Sequence, residues 1–352
     1  MIERQHVAAA DLLNGDVQIV DASRKNTNFS YNSEATASFF VKQGDPGNLS
    51  VKNEADFLDE IAKRSDAWLR QRLPRRVAYH KDARVLVTRR LDRATVISDF
   101  IQERSGLSRQ FSRSLGRLFR KVHAIPVSAG KLGESDRPAA ASRPPWVLTI
   151  HRPTAAGLSE ISQANLDVIK ILQSCPDACL AYDEVRREWA ADLAIIHGDV
   201  KFDNCIVYAP TAGSARTRVT LVDWEMAKLG DPFWDVGSFF GELIRLWAAH
   251  SDDRPGDAPR ADVPHDAIKS IARTFWSEYA SGLSARGISA TAGLHRSLIH
   301  ASLRLVQTSY EFLQHSTEVY QEAGEMLQLA VNVAEAPALA SAQILGLPFP
   351  EH

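Results

Sequence analysis

Cysteine is scarce in this sequence. Three occur among the 352 residues, at Cys175, Cys179 and Cys205. Three thiols cannot form the disulfide framework that stabilises small secreted domains. Cys175 and Cys179 are separated by three residues, and no second pair or nearby histidine completes a zinc set. The sequence therefore predicts a reduced, cytoplasmic protein without a structural zinc site.

Long apolar runs are missing as well. No segment approaches the roughly 18 consecutive apolar residues that cross a bilayer, and the first six residues, MIERQH, do not resemble a signal peptide. The net charge of −2 gives no reason to expect binding to nucleic acid or to a membrane. With 45% hydrophobic and 24% charged residues, the composition is typical of a globular protein with a sizeable core.

The charge is unevenly distributed along the chain. Residues 1–134 contain 23 Lys and Arg against 16 Asp and Glu, whereas residues 135–352 contain 18 against 27. A basic amino-terminal part and an acidic remainder suit a protein whose first half grips phosphate groups.

The first ninety residues contain mainly strand signals. Short alternating apolar segments within 17–42 and 77–88 flank a segment with helical spacing, 51–67. Several strands and one helix in so short a stretch predict a small antiparallel lobe, which we assign to residues 1–92.

The remainder, residues 93–352, has mainly helical periodicity. It is interrupted by a loop-like stretch at 126–153, rich in Pro, Ala, Ser and Arg, and by two strand-like segments, 193–196 and 219–222. Strands first and helices later indicate an α+β protein with two lobes, not a repeated βαβ sheet.

The most informative motif is IHGDVKFDN at residues 196–204. In it Asp199 is followed five positions later by Asn204, and Asp223 comes after the next apolar segment. This combination is typical of phosphoryl transfer, in which one carboxylate orients or deprotonates an acceptor hydroxyl. An Asn and a second Asp hold Mg²⁺ against the nucleotide phosphates. The motif predicts Asp199 as the catalytic base, with Asn204 and Asp223 as metal ligands.

Two lysines complete the predicted site. Lys201 lies close enough in sequence to the base to reach the γ-phosphate as a point charge, and we count it as catalytic. Lys42 ends an apolar strand-like segment, and Glu54 in the next helix is its predicted ion-pair partner. This pair would place an ammonium group against the α- and β-phosphates. Lys52 and Glu60 are the competing candidates.

The predicted phosphate loop lacks glycine. It falls at residues 23–28, SRKNTN, so a G-x-G-x-x-G cradle is absent. Backbone N–H groups and polar side chains would have to cover the nucleotide instead. We predict that Ser23, Thr27 and Asn28 are the polar residues available for this, with Ser23 and Asn28 as nucleotide-binding residues.

Together these motifs resemble those of the aminoglycoside phosphotransferase and choline kinase-like family. The residues that carry the resemblance are His197-Gly198-Asp199, Asn204, Asp223-Trp224-Glu225, Gly230-Asp231-Pro232 and Trp234-Asp235-Val236-Gly237. Residues 115–125 are similar to the family's Leu-Gly…Leu-His-x-Ile helix, and residues 28–31 to its second strand. The similarity spans most of the chain, from about residue 15 to about residue 330.

The resemblance implies a protein kinase-like fold, ATP or GTP with Mg²⁺, and transfer of the γ-phosphate to a hydroxyl group. It gives Asp199 the role of base and gives Asn204 and Asp223 the metal. Asp235 would be structural and tie the catalytic loop by hydrogen bonds. Many small-molecule kinases of the family have His or Gln where this chain has Lys201, whereas lysine is usual there in protein kinases. The acceptor class is therefore open.

A small-molecule acceptor is the first possibility. Aminoglycosides and choline are cations, so their kinases need acidic or aromatic surfaces near the catalytic carboxylate. After Arg304 the chain has no Lys or Arg, but it has Glu311, Glu318, Glu322, Glu325, Glu335 and Glu351. The spacing of the first four would allow one shared helix face, which is either a solvated surface or a rim for a cationic acceptor.

A peptide acceptor is the second possibility. Residues 224–238 are also similar to phosphotransferases that phosphorylate Ser or Thr of ribosomally made precursor peptides, as in lanthipeptide and thioamitide biosynthesis. A partner lyase then eliminates the phosphate. The arginine pairs 75–76 and 89–90 could hold an acidic leader peptide, or could be plain surface charge. Family size slightly favours the small molecule.

A non-catalytic nucleotide-binding scaffold is the third interpretation. It predicts the loss of at least one residue of the phosphoryl-transfer set. All four are present, namely Lys42, Asp199, Asn204 and Asp223. The sequence therefore favours an enzyme.

Overall fold

An antiparallel sheet begins the fold. The computed structural model describes residues 17–21, 27–33, 37–91, 94–99, 109–126, 143–154, 161–208, 218–251 and 263–349. Within these residues, the amino-terminal sheet has five strands in the order β1-β2-β3-β5-β4. They are β1 (Val17–Asp21), β2 (Thr27–Ser33), β3 (Phe39–Gln43), β4 (Arg76–His80) and β5 (Val85–Arg89).

Helix α1 (Ser50–Arg64) covers one face of this sheet. Side chains alternate between the two faces of a strand, so Val41 and Lys42 on β3 point to opposite sides. Val41 packs in an apolar cluster on one face. Lys42 pairs in register with Leu86, which packs against α1 on the other. The alternation therefore directs the Lys42 side chain towards α1.

Helix α1 is shorter than the segment 51–67 that the sequence predicts. It ends at Arg64, and a separate short helix, α2 (Ala67–Arg70), follows. The Asp66 side chain accepts a hydrogen bond from the Leu69 backbone N–H at 2.8 Å. This bond caps the new helix. The first helix ends because the backbone of Ser65 is extended, with a ψ of 142°.

The rest of the chain is mainly helical. Its helices are α3 (Arg109–His123), α4 (Gln163–Gln173), α5 (Pro176–Glu188), α6 (Pro232–Ser251), α7 (His265–Ala280), α8 (Ala290–Phe312), α9 (Gln321–Glu335) and α10 (Pro337–Ala340). The remaining strands are β6 (Ala94–Val96), β7 (Ala194–Ile196), β8 (Cys205–Tyr208), β9 (Arg218–Leu221) and β10 (Lys228–Gly230). They form a β6-β8-β9 sheet and a β10-β7 ladder.

The core of this lobe lies between α6, α7 and α8. Phe239 and Phe275 are fully buried, with ring centroids 4.4 Å apart. Helix α8 approaches α6 closely because Gly237 has no side chain. A Cβ atom built there would lie 2.5 Å from the Ser297 carbonyl oxygen, well inside van der Waals contact.

The predicted α+β architecture with two lobes is confirmed by this arrangement. The lobe boundary at residue 92 stays a prediction, because Asp92 and Arg93 lie outside the described residues. Among the described helices, none combines the length and the apolar character that a bilayer crossing requires.

The prediction that the first four glutamates after Arg304 share one helix face is wrong. Helix α8 ends at Phe312 and α9 begins at Gln321, so Glu311 and Glu322 belong to different helices and Glu318 to the loop between them. Within that loop the Ser316 hydroxyl bonds to the backbone of residue 318. Such local bonds compete with helix continuation.

Candidate functional site

The catalytic motif forms a loop between β7 and β8. Asp235, in the first turn of α6, accepts hydrogen bonds from the backbone N–H groups of His197 at 2.7 Å and Gly198 at 3.0 Å. Gly198 has a φ of +82°, and a Cβ atom there would lie 2.5 Å from the Met226 carbonyl oxygen. Glycine is therefore required at this turn. The buried Asp235 carboxylate fixes the loop, as the resemblance implies.

Asp199 follows this turn and is surrounded by donors. Its Oδ2 atom lies 3.0 Å from Lys201 Nζ, and its Oδ1 atom lies 3.4 Å from an Nη atom of Arg304. Burial by itself would raise the pKa of Asp199, but the Arg304 and Lys201 charges outweigh it and hold the pKa below its usual range. The carboxylate is therefore ionised at neutral pH.

Asn204 is fixed by the same loop. Its Nδ2 atom donates to the Asp199 backbone carbonyl at 2.8 Å and lies 3.3 Å from the Asp199 carboxylate. Since the amide nitrogen is bound in this way, the oxygen of the side chain is directed elsewhere and is available as a ligand.

A second group of charged side chains is centred on Lys42. Lys42 Nζ donates to Glu54 at 2.7 Å, contacts the Asp223 carboxylate, and lies 3.9 Å from Glu225. Burial would lower the pKa of Lys42, but Glu54 and Asp223 outweigh it and raise the pKa. The ammonium group is therefore permanently charged and links the two lobes.

The backbone at Asp223 is also constrained. Its φ of +67° lies in the left-handed region, which non-glycine residues seldom adopt. The next N–H, of Trp224, donates to the second carboxylate oxygen of Glu54 at 3.3 Å. Such backbone conformations are concentrated at functional sites.

Asn204 of the catalytic loop and the group of charged side chains around Lys42 border one cleft of about 350 Å³. It is lined by Asn28, Phe40, Lys42, Glu54, Pro74, Thr88, Arg89, Arg90, Leu91, Ala94, Asn204, Ile206, Val222 and Asp223. Apolar side chains from both lobes alternate with the polar ones, which is the usual composition of a small-ligand site.

Comparison with known proteins now identifies the family. The model of the phosphotransferase enzyme family matches residues 16–273. The chain belongs to this family. The family predicted from the sequence motifs is thereby confirmed.

Two solved structures show the same fold. Choline kinase LicA from Streptococcus pneumoniae superposes with a TM-score of 0.52 at 15% identity, covering 91% of this chain and 94% of that one. A choline/ethanolamine kinase family protein from Mesorhizobium loti has a TM-score of 0.50 at 16% identity, covering 95% and 92%. A search of curated proteins gives no match.

The phosphotransferase site brings together most of the residues that the sequence singled out. Lys42, Glu54, Asn204 and Asp223 line the cleft, and Asp199 lies behind Asn204. Lys201 contacts Asp199 rather than pointing away from it.

The competing lysine and glutamate lie elsewhere. Lys52 pairs with Asp56 on the same helix. Glu60 pairs with Lys63 at 3.0 Å and with Arg64 at 3.2 Å. The structure therefore selects Lys42 and Glu54 as the pair in the cleft.

The predicted phosphate loop, residues 23–28, is described only at its end, because residues 22–26 lie outside the described part of the chain. Thr27 and Asn28 belong to strand β2, in which Asn28 pairs in register with Lys42 and lines the cleft. They form a ladder because this segment alternates side chains along a strand next to β3. Ser23 lies outside the described residues.

The residues present fit a magnesium ion. Asn204 and Asp223 both line the cleft and offer hard oxygen atoms there. Among the described residues, no group of three or more His, Cys, Asp or Glu is arranged to bind a metal. A pair of protein ligands is characteristic of Mg²⁺, which keeps water and substrate phosphates in its coordination sphere.

Two polar contacts were not found from the sequence. Asn53 on α1 donates to the carbonyl oxygens of Glu225 at 2.9 Å and Ala227 at 2.8 Å, which joins the lobes a second time. Arg304 on α8 reaches Asp199 across 105 positions of sequence. No motif signals either contact, although the position of Asn53 beside Glu54 was a usable hint.

Proposed function

We propose that this phosphotransferase moves the γ-phosphate of ATP to a hydroxyl group of a small-molecule acceptor. The observation that carries the proposal is the shared cleft, which is lined by Lys42, Asp223 and Asn204. Asp199 lies next to Asn204, 3.3 Å from its side-chain nitrogen. Membership of the family supports phosphoryl transfer. A relative of similar fold is a choline kinase, which supports a small acceptor.

In this proposal Lys42 binds the nucleotide. Its ammonium is already placed between two carboxylates, so it cannot leave the cleft without breaking a buried ion pair. We assign it to the α- and β-phosphates. Asn28 on β2 pairs in register with Lys42 on β3 and would contact the same nucleotide. Asn204 and Asp223 would hold Mg²⁺, which supplies neutralisation of phosphate charge when bound.

Asp199 orients the acceptor. The ionised carboxylate accepts a hydrogen bond from the acceptor hydroxyl and aligns its oxygen with the γ-phosphorus. As the new P–O bond forms and the bond to ADP breaks, the hydroxyl proton passes to Asp199. The ammonium group of Lys201, which contacts Asp199, would then turn towards the transferring phosphate.

The test is phosphate transfer by the purified protein with Mg²⁺ and ATP, or GTP in parallel, and a panel of hydroxy compounds. We expect Asp199→Asn to lower kcat by about 10²- to 10⁴-fold while nucleotide affinity is retained. Asp183→Asn is the matched control, since Asp183 pairs with His151 and Arg152 on another surface. Equal rates for Asp199→Asn and wild type would refute the mechanism.

A precursor peptide as acceptor, with its partner lyase, stays a prediction of the sequence. A serine-containing peptide in the same panel tests it.

A further inference from the structure

Arg304 is the unexplained residue of the site. One Nη atom lies 3.4 Å from Asp199 Oδ1, and the other donates to Gln307 Oε1 at 2.8 Å. The guanidinium group lies over the ring of Trp234, with its carbon 5.5 Å from the ring centroid. Only 13% of the side chain is exposed. Arg304 is thus held by contacts on several sides, one of them with the carboxylate that accepts the acceptor's proton in the proposed function.

The support for Arg304 is part of the catalytic loop itself. The Trp234 indole N–H donates to the Gly198 carbonyl at 3.0 Å, so the ring beneath the guanidinium is tied to the residue before Asp199. The position of Arg304 relative to the base is therefore fixed by three contacts. A surface arginine that neutralises a carboxylate by chance does not need such support.

Two cations contact the Asp199 carboxylate directly. Arg304 and Lys201 each pair with one of its two oxygens, which gives two cations for one anion. Two carboxylates reach this loop from α6, and both are occupied. Asp235 accepts from the N–H groups of His197 and Gly198. Glu242 contacts Arg245 at 3.1 Å and accepts from the Phe202 N–H at 3.3 Å. A cationic acceptor would be repelled here.

The guanidinium group of Arg304 has more N–H donors than its bonds to Asp199 and Gln307 use. Guanidinium carries five N–H donors in a plane that matches a carboxylate or a phosphate. The described contacts of Arg304 account for one donor to Gln307 and one to Asp199. An anion beside the acceptor hydroxyl would otherwise be repelled by the γ-phosphate and by Asp199. A rigid arginine offsets this repulsion.

We propose that the acceptor carries an anionic group, a carboxylate or a phosphate, next to the hydroxyl that is phosphorylated, and that Arg304 binds this group. The inference rests on the proposed function and narrows its acceptor class. It replaces the cationic acceptor that the glutamates after Arg304 suggested.

The experiment compares acceptors of similar size and different charge. Glycerate and glycerol 3-phosphate are anionic, glycerol is neutral, and choline and ethanolamine are cationic. For each, kcat/KM is measured from ADP release, and binding to the protein with Mg²⁺-ADP is measured by calorimetry. We expect wild type to prefer an anionic compound over glycerol by about tenfold or more, in line with about 1.4 kcal/mol for a tenfold ratio. The two anionic compounds distinguish carboxylate from phosphate.

The variants separate recognition from a structural role. Arg304→Gln should raise KM for the anionic acceptor and remove the ratio between anionic and neutral compounds, whereas Arg304→Lys should restore part of it. A purely structural role would lower kcat for every acceptor alike and leave that ratio unchanged. Arg120→Gln is the matched control, because Arg120 pairs with Glu278 at 2.8 Å, away from the cleft.

Three outcomes would contradict an anionic acceptor group bound by Arg304. A preference for choline or ethanolamine, an unchanged ratio in Arg304→Gln, or anionic compounds that neither bind nor react would overturn the inference. Failure of the proposed function looks different, since then no compound of any charge would receive phosphate. The calorimetric comparison still tests Arg304 in that case.

Discussion

At the scale of single residues, the site depends on charges that are held away from water in fixed positions. Lys42 shows this most clearly, because its ammonium joins Glu54 on α1 to Asp223 in the other lobe. Burial disfavours the charges of Lys42 and Glu54, and their mutual contact opposes this effect. Lys201 differs from Lys42, because its side chain is 38% exposed.

Replacing Lys42 tests this arrangement. We expect Lys42→Met to lower kcat/KM for ATP by about 10²- to 10³-fold, because a preorganised charge in the cleft is lost. Lys52→Met, ten residues along the chain and paired with Asp56 on the exposed side of α1, is the control and should retain wild-type kinetics. Steady-state kinetics with varied ATP makes the comparison. Comparable losses in both variants would contradict the assignment.

At the scale of elements, the packing of α8 on α6 places Arg304 next to Asp199. Gly237 and Gly241 lie one turn apart on α6 and face α8, where a Cβ at the second position would touch Arg304 Cβ at 3.4 Å. Two glycines on one helix face allow the helix axes to approach. Asp235, two residues before Gly237 on the same helix, fixes the catalytic loop. One helix pair therefore sets the distance between the base and its arginine.

Gly237→Ala tests this packing. The added methyl group would lie 2.5 Å from both the Ser297 carbonyl oxygen and His300 Cβ, and the helices would have to separate. We expect a loss of about 1–3 kcal/mol in the free energy of unfolding, the usual cost of overpacking. Gly324→Ala in α9 is the control, since its nearest neighbour there is Val319 Cγ1 at 3.7 Å.

Urea denaturation measures both glycine variants. The Gly324 variant should be as stable as wild type or slightly more stable, because alanine is the better helix former. A Gly237 variant with wild-type stability would mean that α6 and α8 tolerate a wider separation than the structure indicates.

At the scale of the whole molecule, buried polar groups connect elements that are far apart in sequence. His123 at the end of α3 lies 3.1 Å from the Tyr279 hydroxyl and 3.3 Å from Asp235. Burial lowers the pKa of His123, and the Asp235 carboxylate only partly opposes this. The imidazole is therefore neutral in the folded protein at neutral pH. Its contacts join α3, α7 and the support of the catalytic loop.

This group gives the folded protein a pH dependence. In the unfolded chain a histidine takes up its proton near pH 6.5, whereas folded His123 stays neutral to lower pH. Below about pH 6.5 the unfolded state binds more protons, so the free energy of unfolding falls as pH falls, by at most about 1.4 kcal/mol per pH unit for one group. The fall continues down to the folded pKa.

Unfolding of wild type and His123→Gln by urea between pH 7.5 and pH 5 measures this contribution. The variant should be less stable at pH 7.5, because contacts with Tyr279 and Asp235 are altered, but its stability should depend less on pH. Parallel pH curves for the two proteins would show that His123 does not titrate as the structure indicates.

The sequence by itself determined the parts of this protein that are local in the chain. The loop from His197 to Asn204 follows a buried strand, and its Gly, Asp and Asn spacing specifies the turn and the chemistry together. The pair of Lys42 and Glu54 was also accessible, because strand alternation and helical spacing fix both directions within 12 residues. Both features depend on residues that are close together in the chain, so local spacing was enough to predict them.

Only the tertiary structure decided what surrounds the base. Arg304 lies 105 positions from Asp199, and nothing in its local sequence distinguishes it from a surface arginine. Its place follows from the close packing of α6 on α8, which depends on glycines whose role is visible only when both helices are present. The spacing of the glutamates after Arg304 would place them on one helix and favours a cationic acceptor. In the structure the helix ends at Phe312, and the glutamates are divided between two helices and a loop. Contacts between distant elements depend on how helices pack, and local spacing carries no information about that.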